Sequence, residues 1–236
     1  MCDDMSDFDC FLTQEILEAF TEKISAREGK VMETFHQPGH LLVRAVLPPM
    51  EEIRAGDKVQ GGVALRATDT AAWVYPYVFR LVCKNGAIMA QATGGREIPN
   101  LDTVPAFEAV SLVSEAVESC CERNAFATAA KQMRTAAQQP VDAILTMMPF
   151  LARVSSLGPE LAQQIFEQFF KESDRTRYGF MNAVTAVARD TREHVTRWRL
   201  EELGGQIAVM QPAEPVLDDG AEELIPRDEE GLVSLR

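Results

Sequence analysis

Two groups of residues in this chain have the types and spacing for binding chemistry. In the first, large rings alternate with other residues. Trp73, Tyr75, Tyr77 and Phe79, continued by Leu81 and Cys83, fall on one face of a period-two strand, and Val74, Pro76, Val78, Arg80, Val82 and Lys84 on the other. Arg44, Arg66, Arg80, Lys84 and Arg96 are the cations that strands and loops would bring to its borders. Rings that stack bases beside cations that neutralise phosphates hold single-stranded nucleic acid without reading its sequence. The second group is Lys171, Arg175, Arg177, Arg189, Arg192, Arg197 and Arg199, set against Glu172, Asp174, Asp190 and Glu193. Such a positive surplus would give salt-dependent contact with a phosphate backbone. Each group also has a plainer reading. Rings of this size normally pack in a core, and a helix cation four residues from an acid, as Arg189 is from Glu193, forms a surface ion pair.

Catalytic constellations are sparse. The sequence has no phosphate-binding loop, no paired-histidine zinc motif and no serine elbow. Cys2, Cys10, Cys83, Cys120 and Cys121 are odd in number, and their one close pair is adjacent, so they outline neither a disulfide framework nor a metal-ligand spacing. His36 and His40 flank Gln37-Pro38-Gly39 and could meet across a hairpin, but no further ligand is placed beside them. Asp57, Asp69 and Asp102 sit at turn signals, and Gly61-Gly62, Gly94-Gly95 and Gly204-Gly205 read as turns or bends. The expectation is a protein that is not an enzyme and needs no cofactor or metal.

The elements that must position the rings and cations are strands first and helices after. Phe11 to about Arg27 carries Leu12, Ile16, Leu17, Phe20 and Ile24 at helical spacing, with Thr13 as N-cap and Gly29 as stop. Lys30 to Phe35 and Leu41 to Leu47 read as a hairpin ended by Pro48-Pro49, and Lys58 to Thr68 as the next strand. The Tyr75 strand then runs into Asn85-Gly86, which reads as a tight hairpin turn with a further apolar strand behind it. From Val104 the period becomes helical, as one long helix or two in series to about Thr135. Helices are then expected after Pro140, Pro149 and Pro159, and from Tyr178 to Arg199. This order predicts an α+β domain: an antiparallel sheet in the N-terminal half (30–98), one face of it covered by helices mainly from the C-terminal half (104–203).

Charge divides the chain of 236 residues, 46% hydrophobic, into a body and two ends. The net charge is −13, but residues 1–10 carry Asp3, Asp4, Asp7 and Asp9, and residues 211–236 hold eight acids against Arg227 and Arg236. We therefore take 1–10 as an acidic N-terminal tail, 11–210 as a single domain, and 211–236 as an acidic disordered tail that repels itself in solvent, the functional alternative being that it docks a protein partner or competes for a basic surface. No apolar run approaches the ~20 residues that span a bilayer. The acidic N-terminus is unlike a secretory signal, so the expected location is cytoplasmic, without membrane contact.

Two strings resemble one family. Arg80-Leu-Val-Cys-Lys-Asn-Gly86, preceded by Gly62-Val-Ala-Leu-Arg66, and the later Tyr178-Gly-Phe-Met-Asn-Ala-Val-Thr185 are similar in order and spacing to the phage/plasmid-like proteins known as domain of unknown function 932. The resemblance covers residues of about 30 to 200. It implies a mobile-element context and no established catalytic residues; this chain departs from it in being short and in its acidic tail. Asn182 and Thr185, spaced three apart on a helix with Tyr178 a turn earlier, are expected either to tie that helix to the sheet edge or to touch a ligand. The leading expectation is a single-stranded DNA binding role in recombination or replication. The alternative is an assembly factor with no nucleic-acid contact.

Overall fold

Alternation along the chain sets the sheet and its order. The structure, a computed structural model, describes residues 7–37, 39–91, 94–142 and 147–210. After helix α1 (Asp7–Ser25), strands β1 (Lys30–Gln37), β2 (His40–Arg54), β3 (Asp57–Thr68) and β4 (Ala71–Arg80) form a meander, with β5 (Asn85–Ile88) beyond β4. A sixth strand not foreseen in the sequence, β6 (Arg96–Pro99), shares the same edge of β4. β5 pairs with Tyr77–Arg80 and β6 with Ala71–Val74, so the two short strands lie end to end. Every pairing is antiparallel, and the protein is α+β with its helices largely after its strands.

Helices cover both faces of the sheet, not one. Leu41, Val43, Val63, Leu65, Ala72 and Val74 share one face and pack under α1 and α2 (Ala106–Cys120). Further along the same face, Val59, Val78 and Ala87 meet a cluster built from α3 (Arg123–Ala136), α5 (Pro159–Lys171) and α6 (Arg177–Asp190). The opposite face presents Leu42, Ala64, Tyr77 and Ile88 to Trp198 of α7 (His194–Val209). Helix α4 (Met148–Ser155) contributes Phe150 and Val154 to the α3–α6 cluster.

Several local expectations change for identifiable reasons. β2 continues through Pro48-Pro49, because the β2–β3 register shifts between Val46 and Met50 and the prolines sit where the ladder is interrupted. The β4–β5 turn is Leu81–Lys84, with Lys84 in the left-handed region at φ 52°; Asn85 and Gly86 are buried inside β5. Gly86 is there for clearance: a Cβ on it would lie 2.0 Å from the Tyr77 hydroxyl. Gly204-Gly205 is no turn but the middle of α7, where a Cβ on Gly205 would lie 1.9 Å from the Ile88 carbonyl oxygen and one on Gly204 2.6 Å from Thr185 Cγ2. Of the two forms expected from Val104 to about Thr135 the structure has two helices in series, α2 and α3, but the expected Tyr178–Arg199 helix is two, broken at Thr191–Glu193, where the Glu193 carboxylate accepts from the Val195 and Thr196 amides at 2.8 and 2.6 Å. α1 starts at Asp7, inside the segment read as a tail, and buried Thr13 is no cap; its hydroxyl meets His36 Nε2 at 3.1 Å. Most of the span expected to form a helix after Pro140, and residues 1–6 and 211–236, lie outside the described residues.

Candidate nucleic-acid interface

The two strings that carry the family resemblance meet in space. Asn85 of β5 donates through Nδ2 to Thr185 Oγ1 of α6 at 2.5 Å, and the Thr185 hydroxyl in turn donates to the Met181 carbonyl at 3.1 Å. Beside them, Asp57 accepts from Arg80 Nε and Nη2, both at 2.8 Å, and from the Tyr178 hydroxyl at 3.1 Å. Burial pulls the Arg80 guanidinium down, but Asp57 more than restores it. Burial, then Asp57, pushes the Tyr178 phenol up. Arg80, Asn85, Gly86, Tyr178, Asn182 and Thr185 are among the residues enclosing a cavity of about 10 Å³, about the room of one water. Thr185 thus ties helix to strand, whereas Asn182 reaches Asn85 only through its backbone carbonyl at 3.5 Å. The cluster is a clamp between α6 and the sheet, closed to any larger ligand.

Charge pairing removes most of the expected contact residues from the surface. Arg44, 1% exposed, lies under α7, bonded through Nε to Glu201 at 2.7 Å and through Nη1 to Glu33 at 3.2 Å. Arg197 bonds the other oxygens of the same two carboxylates, at 3.1 Å to Glu201 and 3.0 Å to Glu33. Burial lowers the Arg44 guanidinium, but Glu201 leads the groups that leave it above its ordinary value. Burial acts oppositely on Glu201 and lifts its carboxyl, against the pull of Arg44 and Arg197; the two arginines donate four hydrogen bonds, two to each carboxylate. Tyr77, 3% exposed, lies in this interior and its phenol is pushed up by burial.

The second cationic group does not form a patch. Arg175 folds back on the end of α5, donating to the carbonyls of Phe169 at 2.8 Å and Phe170 at 3.2 Å, with its guanidinium over both rings. Arg189 holds Asp190 at 2.8 Å and the Cys83 carbonyl at 2.7 Å. Arg177 is 5% exposed, and desolvation lowers its guanidinium. Of this group, Lys171, Arg192 and Arg199 are exposed without an ion pair or side-chain hydrogen bond among the described residues, on separate parts of the chain, and Lys84 stands likewise exposed at the β4–β5 turn.

What remains open is the seam between β4 and α7. Arg66 lies over the Trp73 ring at 4.7 Å, and its buried Nε has no hydrogen-bond partner among the described residues. Burial, then the like charge of Arg199, lowers its guanidinium, with Glu202 acting the other way. Half-buried Tyr75 has its phenol pushed up to about 12 by burial and then by Glu202. Arg199 and Glu202 continue into an open groove of about 420 Å³ whose walls include Arg153, Ser156, Gln206 and Gln91; Arg153 donates to the Gln206 amide oxygen. Glu202 itself is lifted by burial, against the pull of Arg66 and Arg199. So Arg66 and Tyr75 are the expected residues that the fold leaves at an open surface with rings. Arg153, Gln91 and Gln206 have no sequence signal, and Arg199, counted in the second group, works instead with Arg66. Among the described residues no group of three or more His, Cys, Asp or Glu side chains is arranged to hold a metal ion, and no described helix is long and apolar enough to cross a membrane. No family model, curated protein or solved structure matches this chain.

Proposed function

We propose that this protein is a non-enzymatic, nucleic-acid-associated factor of a phage or plasmid, in keeping with the family resemblance, and that it holds single-stranded DNA during recombination or replication. The contact surface is the β4–α7 seam, not the Arg175–Arg197 stretch. One observation carries this reading: Arg153 and Arg199 wall an open groove, and Arg66, stacked on Trp73 and close to Tyr75, stands beside Arg199, in a chain of net charge −13. Arg66 and Arg199 repel each other beside Glu202, with Glu97 close by, and neither guanidinium forms an ion pair among the described residues, while the adjacent rings offer a face for bases.

Fluorescence anisotropy with a labelled single-stranded oligonucleotide tests it. Neutralising about three phosphates gives a log–log salt slope of about −2, so a fourfold rise in salt weakens binding ~20-fold. The double variant Arg153→Ala/Arg199→Ala leaves about one contact and a loss of only ~3-fold over the same salt range. Arg192→Ala, outside the groove, leaves both unchanged. An absence of binding at low salt refutes the proposal and favours an assembly factor, for which the exposed Phe107 (77%) and Phe170 (61%) would be the contact points.

A further inference from the structure

Acidity in this chain is concentrated beyond α7, and the body ends at the same groove. Residues 211–236 carry eight acids against two arginines. They follow Met210, which lines a small cavity together with Arg153, Leu203 and Gln206, three residues that also wall the groove. Met210, the last described residue, therefore stands beside the groove. Arg199 lies eleven residues back along α7, about 16 Å at helical rise. Eight extended residues span about 26 Å, so Asp218 and Asp219 have the length to run back along α7 past Arg153 to Arg199.

We propose that residues 211–236 occupy this groove in cis, their carboxylates taking the place of phosphates. The competition part of the inference rests on the nucleic-acid reading above; the docking part does not. A short tether gives an effective concentration of about 1 mM. With an intrinsic affinity on the order of 0.1 mM the groove is open about a tenth of the time, and apparent oligonucleotide affinity falls ~10-fold.

Two measurements on the full-length chain test it. In the first, Asp218→Asn, Asp219→Asn, Glu222→Gln and Glu223→Gln are combined and oligonucleotide binding is compared with the parent at low salt; a gain of about tenfold is expected. In the second, Ser156, exposed on the groove wall, is replaced by benzoylphenylalanine and irradiated without nucleic acid. Cross-links to peptides of residues 211–236 within one chain are expected, and the four neutralising substitutions or high salt should suppress them. Unchanged affinity with no such cross-links overturns the inference, while salt-dependent binding by the parent keeps the nucleic-acid reading. Cross-links without oligonucleotide binding by either protein support the docking and sink the nucleic-acid reading. Cross-links with unchanged affinity overturn the competition. A cross-linked dimer assigns the groove to a second copy and overturns the arrangement in cis.

Discussion

Gly205→Ala should destabilise this protein, although helix propensity alone predicts the opposite. In a helix interior, Ala is favoured over Gly by about 0.5–1 kcal/mol. Gly205, however, is buried mid-helix, and its added Cβ would stand 1.9 Å from the Ile88 carbonyl oxygen and 2.8 Å from its carbon. Ordinary contact begins near 3.4 Å, so α7 must back away from β5 by about 1.5 Å, since the obstacle is backbone with no rotamer to change. Even half that gap forfeits a quarter to a half of each dispersion contact along the seam, where Trp198 packs on Tyr77 and Ile88. Overpacking of this kind costs about 1–3 kcal/mol, which outweighs the propensity gain and leaves a net loss of about 1 kcal/mol. For a domain of this size that lowers Tm by roughly 2–4 °C. Urea unfolding should show a lower midpoint at unchanged slope. A variant as stable as the parent, or more so, would mean that α7 does not sit against β5 as described.

Three further outcomes follow from buried groups. Glu201→Gln leaves Arg44, 1% exposed, without its nearest carboxylate and should cost about 3–5 kcal/mol, read by urea denaturation; a loss below 1 kcal/mol would mean the pair is solvated. Asn85→Ala and Thr185→Val should each cost about 1–3 kcal/mol because a buried polar partner is orphaned, with a coupling of about 1 kcal/mol in the double variant; strict additivity would refute the 2.5 Å bond. All three tyrosines of the chain have raised phenols, Tyr75 to about 12 and the other two also upward, so absorbance at about 295 nm should show no phenolate in the native protein near pH 10, where unfolded tyrosine titrates. Above that pH the unfolded chain sheds protons that the native state keeps, so stability falls as pH rises from about 10 towards 12; a native titration centred at about 10 would overturn the burial of these rings.

The sheet was legible because the alternation in β3 and β4 is strong and each neighbour follows at once in the chain. The Asn85-Gly86 pair was misleading because one residue type answers two demands: glycine permits a turn, and it also makes room for a ring, which is its use beneath Tyr77. β6 is four residues long, too short for a period to show. Arg44 sits in a strand between Val43 and Ala45, and its partner Glu201 is 157 positions away, so no local pattern marks it as interior. α7 buries surface against β5 on one side and α6 on the other, which erases the one-sided apolar stripe that reveals a helix. The groove escapes the sequence for the same reason as the Arg44 pair: Arg153 and Arg66 lie on different elements, and each comes close to Arg199 only through the packing of α7.

The glycine seam of α7 divides that helix into parts with unequal freedom to vary. Toward β5 and α6, nothing larger than hydrogen fits at two successive positions, and Trp198 and Glu201 are locked by what they touch. Toward the groove, Arg199, Glu202 and Gln206 stand on the same rigid rod, Arg199 exposed and the other two half-buried at the groove wall. Substitution there can redraw the chemistry presented to a ligand while the spacing between successive side chains stays fixed by the helix, so this scaffold can change what it holds without relearning how to fold.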